Sequence, residues 1–247
     1  MKKHRGWKRL ILSLLITALI VGGPAAGYRI YAYRTRPWYR RYNLIAHAMG
    51  GIDGQDYTNS REAFEQNYKK GYRVFEVDLR QTSDGVLVGR HDWRENDRDS
   101  FGGKNIPTAE EYLNSRIDGK YTPLSFEDVL LLAEEYPDVY FMTDTKQGNL
   151  EKAEETMKLM ADTAESLGLG QVLKERFIIQ IYNEEMYTAV KQWIDPENIL
   201  YTVYQLEPDE YDEAAVFCVN RNIPVVSIRY KRWDETLQRT LQEAGLA

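Results

Sequence analysis

After Tyr42 the chain alternates short apolar or β-branched runs with longer segments of helical period, and it does so repeatedly. Such alternation restricts the fold to α/β arrangements built on a parallel sheet, because each strand must return through a helix before it can pair with the next. NLIAHA (43–48) is predicted as a strand, and SREAFEQNYKKG as a helix with Ser60 as N-cap and Gly71 as its stop. RVFEVDLRQT is a strand, and the SDG turn leads into a second short strand, VLVGRHD. Main strands are predicted near 44, 75, 140, 178, 200 and 226, with helices between them and a last helix at ETLQRTLQEAG. Residues 94–121 are polar and irregular, too long for an ordinary connection, and are expected to form a functional loop or small insertion. A closed (β/α)8 barrel needs eight strands. Six strands therefore leave two readings for 43–247: an open sheet, or a TIM-type (β/α) barrel in a truncated sequence that lacks its last two β/α units. A gap is expected between the last strand and the first.

A different segment precedes that domain. Residues 1–42 hold ten of the 32 Lys and Arg residues and no Asp or Glu. The rest of the chain sets 22 basic against all 38 acidic residues, a net of −16, which argues against nucleic acid as the main partner. Residues 1–9 are a basic flank, 10–28 an apolar stretch, and 29–42 a linker in which Tyr and Trp alternate with Arg. A 19-residue helix spans roughly 28 Å, near the thickness of a bilayer core. Its strongly apolar part, Leu10 to Val21, is short, and the small residues Ala25–Gly27 also suit a signal-peptide cleavage site. A retained single-pass anchor is favoured over a cleaved signal. The flanking charges are balanced, so an extracytoplasmic barrel domain is expected from the export-like leader alone.

The chemistry-bearing residues are few. One cysteine, Cys218, excludes an internal disulfide and a cysteine-rich zinc site. Of three histidines, His4 lies in the basic leader, while His47 and His91 each close a predicted strand. That is the end of a parallel sheet at which α/β sites form. Glu76 and Asp78 are two apart on an otherwise apolar strand, and a period of two points both carboxylates to one side. Adjacent carboxylates repel and resist burial unless a cation or proton lies between them. Asp144 and Lys146 repeat the spacing at the end of the next main strand. Asp144 can complete a three-carboxylate cluster, and Lys146 can neutralise an anion. Oxygen ligands alone favour one Mg²⁺ or Ca²⁺ over zinc.

Taken in order, AHAMGG, TNSREAF, FEVDL, QTSDG, GRHDW and TDTK resemble the glycerophosphodiester phosphodiesterase family of the phospholipase C-like phosphodiesterase barrels. That family runs as a His-Arg-Gly strand end, an Asn-Thr…Glu-Ala-Phe helix start, Glu-x-Asp, Thr-x-Asp-Gly, His-Asp and Glu-x-Lys. PLSFEDVL and FIIQIY also match, and the resemblance covers about residues 43–230. It implies a metal-dependent phosphodiesterase acting on a small phosphodiester or lipid head group. His47 and His91 would be the acid/base pair, Glu76, Asp78 and Asp144 the metal ligands, and Lys146 a phosphate contact. Two residues depart from the pattern. Ala48 stands where the family has Arg, and Asp144 where it has Glu. A sphingomyelinase-like or lysophospholipase D-like lyase that forms a cyclic phosphate is the alternative enzyme. A membrane-anchored binding module with a degenerate site is the non-enzymatic alternative.

Overall fold

The computed structural model describes residues 32, 36–94, 101, 105–146, 149–204, 206–233 and 235–246. The expected apolar segment 10–28, and most of its flanks, lies outside them. Among the described residues no helix is long and apolar enough to cross a membrane. The chain divides into two units, Met1–Asn43 and Leu44–Ala247. The described part of the first is chiefly a one-turn helix, α1 (Trp38–Arg41), entered through Pro37.

The second unit is α/β with a parallel-dominated sheet. Its elements are α2 (Arg61–Lys69), β1 (Val74–Gln81), β2 (Leu87–Gly89), α3 (Ala109–Leu113), α4 (Phe126–Glu135), β3 (Tyr140–Asp144), α5 (Leu150–Ser166) and α6 (Gly170–Arg176). Then follow β4 (Phe177–Ile181), α7 (Glu184–Trp193), β5 (Asn198–Thr202), α8 (Tyr211–Arg221), β6 (Val225–Ser227) and α9 (Glu235–Glu243). The sheet order is β2-β1-β3-β4-β5-β6. From β1 through β6 the main strands pair in parallel and in chain order, as expected of a barrel-type winding, while β2 folds back antiparallel on the end of β1.

The first predicted strand is a correction. NLIAHA contributes a single parallel bridge, Ala46 to Phe75, held by Ala46 N–H to Val74 O (2.8 Å) and Glu76 N–H to Ala46 O (2.9 Å). The chain then turns into a 3₁₀ segment, His47–Met49, with left-handed backbone at Ala48 (φ 49°) and Met49 (φ 66°). Leu44 and Ile45 are exposed, so the apolar run does not bury as a strand. The irregular stretch after β2 contains α3, which starts on a reciprocal cap between Thr108 and Glu111. α2 begins at Ser60, whose hydroxyl accepts from Ala63 N–H, and Gly71 (φ 101°) ends it as its sequence predicts.

The core explains why the sheet holds its register. Phe75, Phe141 and Phe177 are register partners on β1, β3 and β4 and are fully buried. Their rings follow one another at centroid distances of 6.1 and 5.8 Å, and Phe64 of α2 closes on Phe75 at 4.7 Å. A one-residue slip would turn this row to the opposite face of the sheet. That face carries the polar residues.

Candidate active site

The odd-numbered residues of β1 build the core, and period two sends Glu76, Asp78 and Arg80 to the other face. The β1–β3 register places Asp78 directly opposite Asp144. One carboxylate oxygen each of Glu76, Asp78 and Asp144 lies within 4.8 Å of the others, and all three residues are buried. Burial first, then the neighbouring Asp78 and Asp144, pushes the Glu76 carboxyl up to about 8, against a smaller pull from Lys146. Burial likewise raises Asp144, opposed by hydrogen bonding from Tyr182 and by the charge of Lys146.

This donor set fits a divalent cation. Three buried carboxylates face one another, and the Lys146 ammonium is the one cation beside them among the contacts of Asp78 Oδ1. One lysine does not balance three carboxylates, and a hard cation that takes oxygen ligands would offset the remaining repulsion. Part of the charge is already met by Lys146, whose Nζ lies 2.8 Å from Asp78 Oδ1 and 3.6 Å from Asp144 Oδ2. Nζ also lies 3.4 Å from the His91 carbonyl oxygen, so Lys146 joins the end of β3 to the segment after β2.

Both histidines lie at this cluster. The Ala46 bridge delivers His47 alongside Glu76, with Nε2 3.4 Å from Oε2, and leaves its side chain 55% exposed. Asn67 of α2 holds the turn by donating to the carbonyls of Met49 and Gly51, each at 3.2 Å. Gly50 (φ 87°) is required there, because a Cβ would come within 2.4 Å of that amide. Nδ1 of His91 lies 2.9 Å from Asp92 Oδ2. Partial burial of Asp92 is outweighed by hydrogen bonds from Arg94 and His91, which hold its carboxyl well below the usual range.

The structure therefore brings together all six residues singled out in the sequence. It adds four whose single-sequence signals were weak. Asn59 grips Asp78 twice, donating from Nδ2 to Oδ2 (2.9 Å) and accepting from Asp78 N–H at Oδ1 (3.0 Å). Only its place in TNSREAF hinted at this. Asp92 was visible in GRHDW. Tyr182, fully buried, donates its hydroxyl to Asp144 Oδ1, and Gln180 Nε2 donates to that hydroxyl at 3.0 Å. Tyr57 has no sequence signal at all. Its ring meets the His47 ring at 4.7 Å and the His91 ring at 4.8 Å, edge to face in both cases. Ala48 is fully buried in its left-handed turn and brings no cation. Arg80 does bring one: it rises from the same face as Glu76 and Asp78 and donates from Nη1 to Thr145 O (2.8 Å).

Residues 51–245 match the Glycerophosphoryl diester phosphodiesterase family. The chain belongs to that family. Its enzyme class is accordingly that of the glycerophosphodiester phosphodiesterases, phosphoric diester hydrolases. Solved structures agree on the fold. A Galdieria sulphuraria protein described provisionally as a glycerophosphodiester phosphodiesterase matches at TM-score 0.65 and 19% identity, over 82% of this chain and 81% of its own. A Parabacteroides distasonis glycerophosphodiester phosphodiesterase matches at 0.61 and 17%, over 82% and 80%. An Oleispira antarctica phosphodiesterase, solved with the product sn-glycerol-3-phosphate, matches at 0.63 and 15%, over 83% and 82%. The phosphodiesterase carries its buried acidic triad on two adjacent parallel strands, Glu76 and Asp78 on β1 and Asp144 on β3.

Proposed function

We propose that this phosphodiesterase hydrolyses glycerophosphodiesters on a TIM-type scaffold, using Glu76, Asp78 and Asp144 to hold one Mg²⁺ or Ca²⁺. The observation that carries the reading is the buried carboxylate triad, flanked by two histidines on separate segments. When bound, such an ion supplies a Lewis acid for a phosphoryl oxygen. The remaining roles belong to the chain. One of His47 and His91 accepts the proton of the attacking hydroxyl, and the other protonates the departing alkoxide. Lys146 balances charge that builds on the phosphoryl oxygens in the transition state. Asp92 orients the His91 ring through Nδ1, and Asn59 fixes the Asp78 carboxylate. The glycerol-3-phosphate bound to the Oleispira relative supports a small phosphodiester substrate.

The leader adds a location. A basic flank, an apolar run and an aromatic–basic linker favour a single-pass anchor in the cell membrane over a cleaved signal. The export-like character of the leader, not its balanced flanking charges, puts the catalytic domain outside the cytoplasm and close to lipid head groups. Fractionation of the full-length chain with protease protection of intact cells tests that placement. Protection of the catalytic domain in intact cells would reverse the orientation.

The activity is tested by incubating the full chain with glycerophosphocholine or glycerophosphoethanolamine and Mg²⁺ or Ca²⁺. Release of glycerol 3-phosphate, abolished by chelation and restored by metal, is the expected result. Accumulation of a cyclic phosphate would transfer the protein to the lyase reading that Asp144 leaves open. No turnover and no metal binding would mark a degenerate module, the reading that Ala48 favours.

A further inference from the structure

The loop that joins His47 to α2 is strained at many points. Five of the nine non-glycine residues with positive φ among the described residues fall in it: Ala48, Met49, Asp53, Tyr57 and Asn59. Asn tolerates left-handed backbone, but a bulky aromatic at φ 60° is an outlier that the surrounding structure must enforce. Tyr57 does not obtain burial in return, since it stays 44% exposed. What its conformation achieves is contact with both imidazoles, at 4.7 Å to His47 and 4.8 Å to His91. Each imidazole has one acidic neighbour of its own, Glu76 for His47 and Asp92 for His91, and Tyr57 in common. An acidic neighbour on a single ring nitrogen leaves the imidazole plane free to rock about that contact. An aromatic ring packed across the imidazole restricts this freedom.

We infer that Tyr57 is a positioning residue, whose ring, held by strained backbone, sets the spacing and tilt of His47 and His91 together. The inference rests on the reading of those histidines as the acid/base pair. Its immediate neighbour beyond Thr58 is Asn59, which is bonded to Asp78, so the strained loop is anchored at the metal-ligand end and reaches the histidines at Tyr57. Acid/base catalysis depends on the proton-transfer distance, and misplacement by about 1 Å can cost roughly 10²-fold in rate.

Three variants of the full chain decide it: Tyr57→Phe, Tyr57→Gly and Tyr57→Leu, assayed on a glycerophosphodiester with saturating Mg²⁺. Glycine accepts φ 60° without strain, so Tyr57→Gly removes the ring while easing the backbone. The expected result is a kcat lowered roughly 10–10²-fold in Tyr57→Gly and Tyr57→Leu, with KM within about threefold. Near-wild-type kcat is expected in Tyr57→Phe, because the ring and not the hydroxyl makes both contacts. Calorimetric Mg²⁺ affinity and melting temperature should not fall in Tyr57→Gly. A kcat retained in Tyr57→Gly overturns the inference, and so does a loss traced to KM or to metal affinity. His47→Ala and His91→Ala separate the two levels. If they abolish turnover while Tyr57→Gly keeps it, only the inference fails. If both histidine variants keep turnover, the acid/base reading fails and takes the inference with it.

Discussion

Strands β1 and β4 both flank β3 in parallel, yet they serve different ends. On the helix-facing side they are equivalent: Phe75, Val77 and Leu79 on one, Phe177, Ile179 and Ile181 on the other, all buried. On the opposite side β1 presents Glu76 and Asp78, whereas β4 presents Ile178 and Gln180. The apolar side builds the fold twice over. The polar side concentrates buried charge on one strand and leaves the other to support it at a distance, through Gln180, Tyr182 and Asp144. The same backbone position thus accepts a stabilising or a destabilising side chain, according to whether chemistry needs it.

Substitutions on the two faces test that contrast. The largest expected effect lies at the histidines beside β1: His47→Ala and His91→Ala should each lower kcat by roughly 10²–10⁴-fold. Thermal melts should barely change, because both side chains are partly exposed. A variant with unaltered kcat would remove its residue from the acid/base pair. On the fold-building side, Phe177→Ala should cost about 3–5 kcal/mol by opening a cavity beside Phe141 and Phe126. Denaturant titration checks this, and a loss under about 1 kcal/mol would show that the row of rings is not the core's support.

Glu76→Gln should act in two directions. Metal affinity should fall roughly tenfold or more, since a ligand oxygen loses its charge. The metal-free protein should melt a few degrees higher, because burial and two neighbouring carboxylates already oppose ionisation of Glu76. Unchanged calorimetric affinity would place the ion elsewhere. The smallest effect belongs to β4: Gln180→Leu removes one hydrogen bond to the Tyr182 hydroxyl. Stability should change by about 1 kcal/mol or less, and metal affinity by less than about tenfold. A larger loss of metal affinity would make β4 as much a part of the site as β1.

Much of this was legible in the chain, for identifiable reasons. Alternation of period two and period 3.6 located β1, β3, β4, β5 and β6 and most of the helices between them. Ser60, Gly71 and the SDG turn acted through local backbone chemistry, which a sequence displays directly. NLIAHA misled because an apolar run predicts burial but not pairing length. Here one residue, Ala46, makes the whole bridge. The helix α6 was missed, hidden between a long helix and a strand in a segment with no separate apolar period.

Spacing along the chain is enough to put Glu76 and Asp78 on one face, to set His47 and His91 after strand-like segments, and to order the family motifs. Those are relations between residues close along the chain, and pleat geometry enforces them wherever the strand lies. Packing in three dimensions is needed to set Asp78 opposite Asp144, to brace those carboxylates with Asn59 and Tyr182, and to bring Tyr57 against both imidazoles. Each of these depends on strand register or on a left-handed loop held from outside. Such features are settled by packing across the sheet, where the phenylalanine row on one face dictates which charges meet on the other.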